Sequence, residues 1–203
     1  GRMIEFTGFP KMARLSRDII VTEKIDGTNA QVYISDDGDV VAGSRTRWIY
    51  PGDDNFGFAA WVHEHRDELL TLGPGQHFGE WWGKGIQRGY GLPDRRFSLF
   101  NTVRWALHGT EPQTFPTNDP RVSRTQEVLP PCCGLVPVLH KGEFTTQAVD
   151  EALQYLHFFG SEAAPGFMKP EGVVVFHIAG NVGFKKTLDN DGVPKSTMRK
   201  EHA

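Results

Sequence analysis

The chain has 203 residues, 38% of them hydrophobic and 11% aromatic, which suffices for a single sizeable domain with a real core. A formal net charge of −3 excludes a protein that coats nucleic acid by charge alone, but not an enzyme with a local basic face. No apolar run approaches the roughly 18 residues of a membrane span, and no amino-terminal apolar stretch reads as a secretory signal.

In chain order, residues 19–24 are rich in β-branched side chains and predict a strand. Residues 28–35 alternate and predict a second strand. Asp36-Asp37-Gly38-Asp39 is a turn, and residues 40–42 return as a third, so the expectation is an antiparallel meander. Residues 55–72 predict a helix, with Phe58, Trp61, Val62, His65 and Leu69 near a helical period, Asp53, Asp54 or Asn55 as cap, and Gly73-Pro74 as the stop. Residues 76–82 and 96–107 predict strands. Residues 108–134, rich in Pro and Thr, predict a long loop or partly ordered insertion. Residues 136–139 predict a short strand that Pro137 confines to an edge. Residues 145–159 predict a second helix capped by Thr145 or Thr146, and residues 172–178 and 182–186 two strands joined by a Gly-Asn turn. From Asp189 the tail is polar and expected to fray. Cys132 and Cys133 are adjacent, without metal-ligand spacing, and suggest a reducing, intracellular, cytoplasmic setting.

The chemistry concentrates at Glu23-Lys24-Ile25-Asp26-Gly27-Thr28-Asn29. A lysine at the end of a rigid apolar strand suits a nucleophile. Its amine is inert while protonated and gains reactivity from desolvation or neighbouring cations. Gly27 would let backbone approach a ligand closely. Further segments follow in order: Ser44-Arg45-Thr46-Arg47, Phe78-Gly79-Glu80-Trp81, Phe97-Ser98-Leu99-Phe100-Asn101, Pro170-Glu171-Gly172-Val173-Val174-Val175 and Gly183-Phe184-Lys185-Lys186-Thr187. A guanidinium fork suits phosphate oxygens. A glutamate between aromatics on a strand needs a polar partner, which an arginine or a ligand hydroxyl could supply. On a strand, Phe97 and Leu99 share one face while Ser98 and Phe100 share the other. Lys185 and Lys186 are neighbours on a strand and point to opposite faces, so one faces any pocket; Lys185, after the apolar Phe184, is favoured.

This ordered set resembles the covalent nucleotidyltransferases: DNA ligases, RNA ligases and mRNA capping enzymes. Glu-Lys-Ile-Asp-Gly-Thr-Asn is most similar to the phage-type RNA ligases that seal nicked duplex RNA. The resemblance implies an α+β fold in which two mainly antiparallel β-sheets with flanking helices form a nucleotide cleft. It implies ATP and a magnesium or manganese ion as cofactors. Lys24 would carry AMP and pass it to a 5′-phosphate. Glu23 would open the pocket and read the adenine edge through its backbone. Asp26 would shape the site, and Asn29 would meet the phosphate that receives AMP. Arg45 would bind phosphate, Glu80 the ribose and Phe100 the adenine face. Glu171 would hold the metal, and Lys185 or Lys186 the α-phosphate. Asn101 stands where the family pattern has an acid.

The expected partner is nucleic acid, as RNA ends or a nicked duplex, with no membrane. Residues 1–203 read as one adenylylation domain without a separate carboxy-terminal domain, so a partner protein or domain would add grip on the nucleic acid. A phage-encoded enzyme acting in host cytoplasm fits the same resemblance. The rivals are a DNA ligase, a GTP-using capping-type transferase and a non-catalytic nucleotide or RNA-binding module. A basic face could draw on Arg45, Arg47, Lys84, Arg88, Arg95, Arg96, Lys185, Lys186, Lys195, Arg199 and Lys200, each otherwise a solvated surface charge.

Overall fold

The computed structural model describes residues 1–117 and 121–189; Lys195, Arg199 and Lys200 lie outside the described residues. The first half of the chain forms β1 (Asp18–Lys24), β2 (Thr28–Ile34), β3 (Val40–Gly43), β4 (Trp48–Ile49), α1 (Phe58–Glu64), α2 (Arg66–Leu69) with a 3-10 turn over Leu70–Leu72, β5 (Gly75–Gly83) and β6 (Arg95–Leu99). The second half forms β7 (Trp105–Ala106), β8 (Thr114–Pro116), β9 (Ser123–Thr125), β10 (Glu127–Val128), β11 (Gly134–Leu135), β12 (Val138–Glu143), α3 (Thr146–Phe159), β13 (Gly172–His177) and β14 (Val182–Thr187). Among the described residues no helix is long and apolar enough to cross a membrane.

Two sheets dominate. The smaller has the order β12-β1-β13-β14 and is antiparallel throughout. The larger has the order β11-β6-β5-β2-β3-β4, antiparallel except where β11 runs parallel to β6. Ile19 and Val21 of β1 and Val173 and Val175 of β13 pack on Val149, Leu153 and Leu156 of α3. Val32, Ile34, Trp81, Phe97 and Leu99 of the larger sheet pack on Phe58, Val62 and Leu69. Each sheet therefore turns one face to helices and leaves the other free to build a cleft.

The expected meander over residues 19–42 divides. β2 and β3 pair, but β1 lies in the other sheet, between β12 and β13. Ile25–Gly27 carries the chain across, held by the Asp26 N–H to the Tyr90 hydroxyl at 2.7 Å and the Gly27 N–H to Glu80 Oε1 at 3.2 Å. The expected helix over 55–72 breaks at His65 (φ −103°, ψ 18°), whose ring nitrogen donates to the Trp61 carbonyl at 2.8 Å. Of its three candidate caps, Asp54 accepts from the Ala59 N–H at 2.7 Å. The expected strand over 96–107 ends at Leu99, because the Asn101 side chain accepts from the Arg104 N–H and closes a turn. The 108–134 stretch holds the β8–β9 hairpin and β10, which runs beside β7. The strand expected over 136–139 begins only at Val138 and runs on to Glu143 as the edge strand β12; Pro137 stands just before it, by a register shift in the β1–β12 pairing, and its carbonyl accepts from the Glu23 N–H. Thr145 caps α3 through its hydroxyl to the Ala148 N–H.

Glu23 fastens β1 to the segment after α3. Its buried carboxylate accepts from the Ser161 hydroxyl at 2.7 Å and the N–H groups of Glu162 and Ala163 at 2.6 and 3.1 Å. Burial raises its pKa from the ordinary carboxyl value, offset in part by these bonds. Glu23→Ala strands three donors, and urea denaturation should show a loss of about 2–3 kcal/mol; unchanged stability would contradict the fastening role.

Candidate functional site

The two free faces enclose a cleft of about 800 Å³. Within the strands, period-two alternation selects most of what enters it; Thr28, at the start of β2, is an exception. From the smaller sheet come Ile20, Thr22 and Lys24 of β1, Val174 and Phe176 of β13, and Lys185 of β14. From the larger sheet come Thr28 and Asn29 of β2, Gln76, Phe78 and Glu80 of β5, and Phe100 just past β6. Arg45 reaches it from the connection between β3 and β4.

Lys24 is the chemical centre. Its Nζ lies 2.9 Å from Glu171 Oε2, and Glu171 is only 3% exposed. Sequence reasoning looked to desolvation and neighbouring cations; the nearest charged partner is instead an acid. Glu80 stands across the cleft. Among the described residues it pairs with no arginine: Oε1 accepts from the Gly27 N–H, and its charge interacts with Lys24. Burial pushes the Glu80 carboxyl up to about 7; Lys24 and the Gly27 bond oppose this, and Glu171 and Asp26 add to it. Near neutrality Glu80 is thus half protonated, able to donate to or accept from a ligand hydroxyl.

Asp26 lines the cleft, with its carboxylate held by Arg88 Nε at 3.0 Å. Arg88 also donates to the Lys169 carbonyl at 2.8 Å, which ties the Lys24 turn to the approach of Glu171. Phe100 is 43% exposed and borders the cleft while Phe97 lies in the core, as strand alternation required. The register also separates the two lysines. Lys185, opposite Val174, lines the cleft; Lys186, opposite Val173, faces α3 and pairs with Asp150 at 3.3 Å. Of the arginine pair, Arg47 is bound twice by Asp53, at 2.6 and 3.1 Å, and Arg45 faces the cleft.

The structure thus brings together Lys24, Asp26, Asn29, Arg45, Glu80, Phe100, Glu171 and Lys185. It does not bring in Lys186 or the Glu23 side chain, because both sit at positions whose side chains face α3 or the segment after it. Glu23 borders the cleft, with its carboxylate turned away to Ser161, Glu162 and Ala163. Sequence reasoning passed over Phe78, which lines the cleft two residues before Glu80 on the same face; the period-two spacing from Glu80 was the available signal. It placed Arg88 only in a candidate basic face and missed Tyr90; the contacts of both with Asp26 span more than 60 positions and leave no local pattern.

Among the described residues no cluster of three or more His, Cys, Asp or Glu could hold a metal ion. Magnesium and manganese sites on nucleotides need no such cage: one or two carboxylates act together with phosphate oxygens. Glu171, buried behind the lining with Oε2 2.9 Å from the cleft-facing Lys24 Nζ, is the carboxylate that fits that arrangement.

The RNA ligase family matches residues 17–187. No curated protein sequence matches the chain. Among solved structures the fold is similar to that of Naegleria gruberi RNA ligase. A substituted form with ATP and Mn superposes with a TM-score of 0.56 at 18% identity, covering 93% of this chain and 53% of that one. The form with PPi gives 0.54 at 18%, covering 92% and 52%. An apo substituted form gives 0.54 at 19%, covering 91% and 52%. The chain spans about half the length of these structures, and at such identity the likeness establishes the fold.

The Glu80 carboxyl gives a pH signature. Its folded value of about 7 lies above the ordinary 4.5, so the folded state binds more protons between those values. Its contribution to stability is present below pH 4.5 and is lost as pH rises through 7. The loss amounts to about 3 kcal/mol at 1.36 kcal/mol per pH unit. Thermal melts across this window should show Glu80→Gln matching the wild type at the acid end and exceeding it at pH about 8. Parallel curves would contradict the buried, near-neutral carboxyl.

Proposed function

The chain belongs to the RNA ligase family, and on that premise we propose that it joins RNA 3′-hydroxyl and 5′-phosphate ends with ATP, through AMP bonded to Lys24. The observation that carries this reading is Lys24 Nζ on the cleft face of β1, held 2.9 Å from Glu171, with Glu80, Phe100, Arg45 and Lys185 around the same cleft. The Naegleria gruberi ligase structures that share its fold include forms with ATP and Mn, AMP and Mn, and PPi, which supports a nucleotide in this cleft.

In the proposed first step Lys24, part-exposed in the cleft, loses its ammonium proton to water while Glu171 stays ionised, and the Nζ lone pair attacks the α-phosphorus of ATP. An N–P bond forms, the bond to the bridging oxygen breaks, and pyrophosphate leaves. Phe100 stacks on the adenine and Glu80 exchanges a hydrogen bond with the ribose. Lys185 and Arg45 face the phosphates and offset their charge. Glu171 with phosphate oxygens would hold magnesium or manganese, which supplies further charge neutralisation when bound. In the second step a 5′-phosphate oxygen displaces Nζ from the AMP phosphorus, with Asn29 placed to bind the incoming phosphate. In the third the 3′-hydroxyl attacks the adenylylated 5′-end, and AMP leaves. Much of this acceleration comes from positioning, which the two rigid sheets supply. Residues 17–187 act in this account as the adenylylating domain, and added grip on RNA falls to a partner protein or domain.

Intact mass after incubation with ATP and magnesium should rise by one AMP, and Lys24→Ala should show no gain while still giving a cooperative melt. Retained AMP in that variant would remove Lys24 from the mechanism. GTP in place of ATP should give no gain; labelling by GTP would favour a capping-type transferase. Phe100→Ala should weaken ATP binding by about 1–3 kcal/mol in titration calorimetry, the usual worth of a stacked base, and an unchanged affinity would place the stacking elsewhere.

A further inference from the structure

The cleft occupies only part of the larger sheet's free face. Beyond it the face continues into solvent, and the register lays out one row across the strands. Phe100 bonds through its N–H to the Phe78 carbonyl, Phe78 lies opposite Gln31, Gln31 opposite Gly43, and Gly43 opposite Trp48. All side chains in that row stand on the cleft side, since Val32, Ala42 and Ile49 fill the core on the other. Phe78 and Trp48 are three strand spacings apart, about 14 Å.

The far end of the row is aromatic and open. Trp48 is 43% exposed and Tyr33 36%, with ring centroids 5.7 Å apart. The intervening positions are small or polar and kept flat. Gln76 donates to Gln31, and Gln31 donates to the Ser44 carbonyl, which lays the Gln31 amide across the strand. A Cβ at Gly43 would lie 2.6 Å from Gln31 Cγ and 3.1 Å from Trp48 Cε3, so glycine there lets Gln31 and Trp48 close over the strand. Arg45 flanks the row where the cleft opens and has no ion-pair partner among the described residues.

Two exposed rings beside an available guanidinium, continuous with a cleft read as binding nucleotide phosphates, match what unpaired nucleic acid requires. Bases stack on aromatic faces, and a cation meets the backbone. A net charge of −3 does not favour holding RNA by overall charge, so local contacts of this kind are where this chain's own share of the grip is sought. We propose that Tyr33 and Trp48 form a stacking platform for an unpaired RNA segment that leads its end past Arg45 into the cleft. This rests on the ligase reading of the cleft and assigns where that substrate lies outside it.

The test separates the two claims. Binding of a single-stranded, 5′-phosphorylated oligoribonucleotide with a fluorescent 3′ end is measured by anisotropy without ATP or metal, and AMP uptake from ATP is measured separately by intact mass. Trp48→Ala and Tyr33→Ala should each weaken RNA binding by roughly tenfold, Trp48→Phe should restore most of it, and all three should take up AMP as the wild type does. RNA affinity unchanged in both alanine variants would overturn the platform. So would a wild-type dimer that Trp48→Ala converts to monomer without loss of RNA affinity, which would make the face a contact between copies. A wild type that takes no AMP yet binds RNA through Trp48 would overturn the ligase chemistry and leave the platform standing.

Discussion

The approach of the two sheets at Gly27 is the constraint on which the rest of the site depends. A Cβ at this position would collide with the Trp81 carbonyl oxygen and lie 2.7 Å from Trp82 Cβ. Sequence reasoning gave this glycine to a ligand's approach; the approach it permits is that of β5. Because nothing larger fits, the strand carrying Lys24 and the strand carrying Glu80 meet within one hydrogen bond, from the Gly27 N–H to Glu80. The same turn is held on its other side by Tyr90 and Arg88, and Arg88 reaches the Lys169 carbonyl two residues before Glu171. The exposed ion pair of Arg88 with Asp26 contributes little stability by itself. Its worth is geometric, since it fixes three chain segments around one amine.

The electrostatics follow from that convergence. Lys24 is set among Glu171, Glu80 and Asp26, and burial makes a third full negative charge unfavourable. Glu80 yields and sits near neutrality at about 7. A cleft with this acid-rich floor would repel phosphates were it not for Lys185 and Arg45 on its walls. The arrangement favours a ligand that brings hydroxyls to Glu80, an apolar ring to Phe100 and anionic oxygens to the cations, which is the chemical outline of a nucleotide.

Much of this was legible from local pattern. Alternation on a strand set Phe100 apart from Phe97 and Lys185 apart from Lys186, because the face of a strand residue depends on parity alone; the family pattern then chose Phe100, and the apolar Phe184 before it chose Lys185. Thr145 capped its helix, since a cap acts through its own backbone neighbours. What stayed hidden was pairing between distant segments. Nothing within residues 19–42 shows that β1 lies between β12 and β13 rather than beside β2, for the partners of β1 lie more than 100 positions away. The break at His65 depended on a side-chain bond to the Trp61 carbonyl that helical periodicity does not register. The ion pair of Lys24 with Glu171 joins two motifs that the sequence presents separately, and it replaced the expected cationic surroundings.

The central claim is that this convergence makes Lys24, and no other lysine, the bearer of the nucleotide. Tandem mass spectrometry of peptides from ATP-treated protein, digested under alkaline conditions that spare an N–P bond, tests it directly. The account predicts AMP on the peptide containing Lys24 and on none containing Lys185 or Lys186. AMP on either of those lysines, or on no lysine of a protein that nonetheless seals RNA, would contradict it.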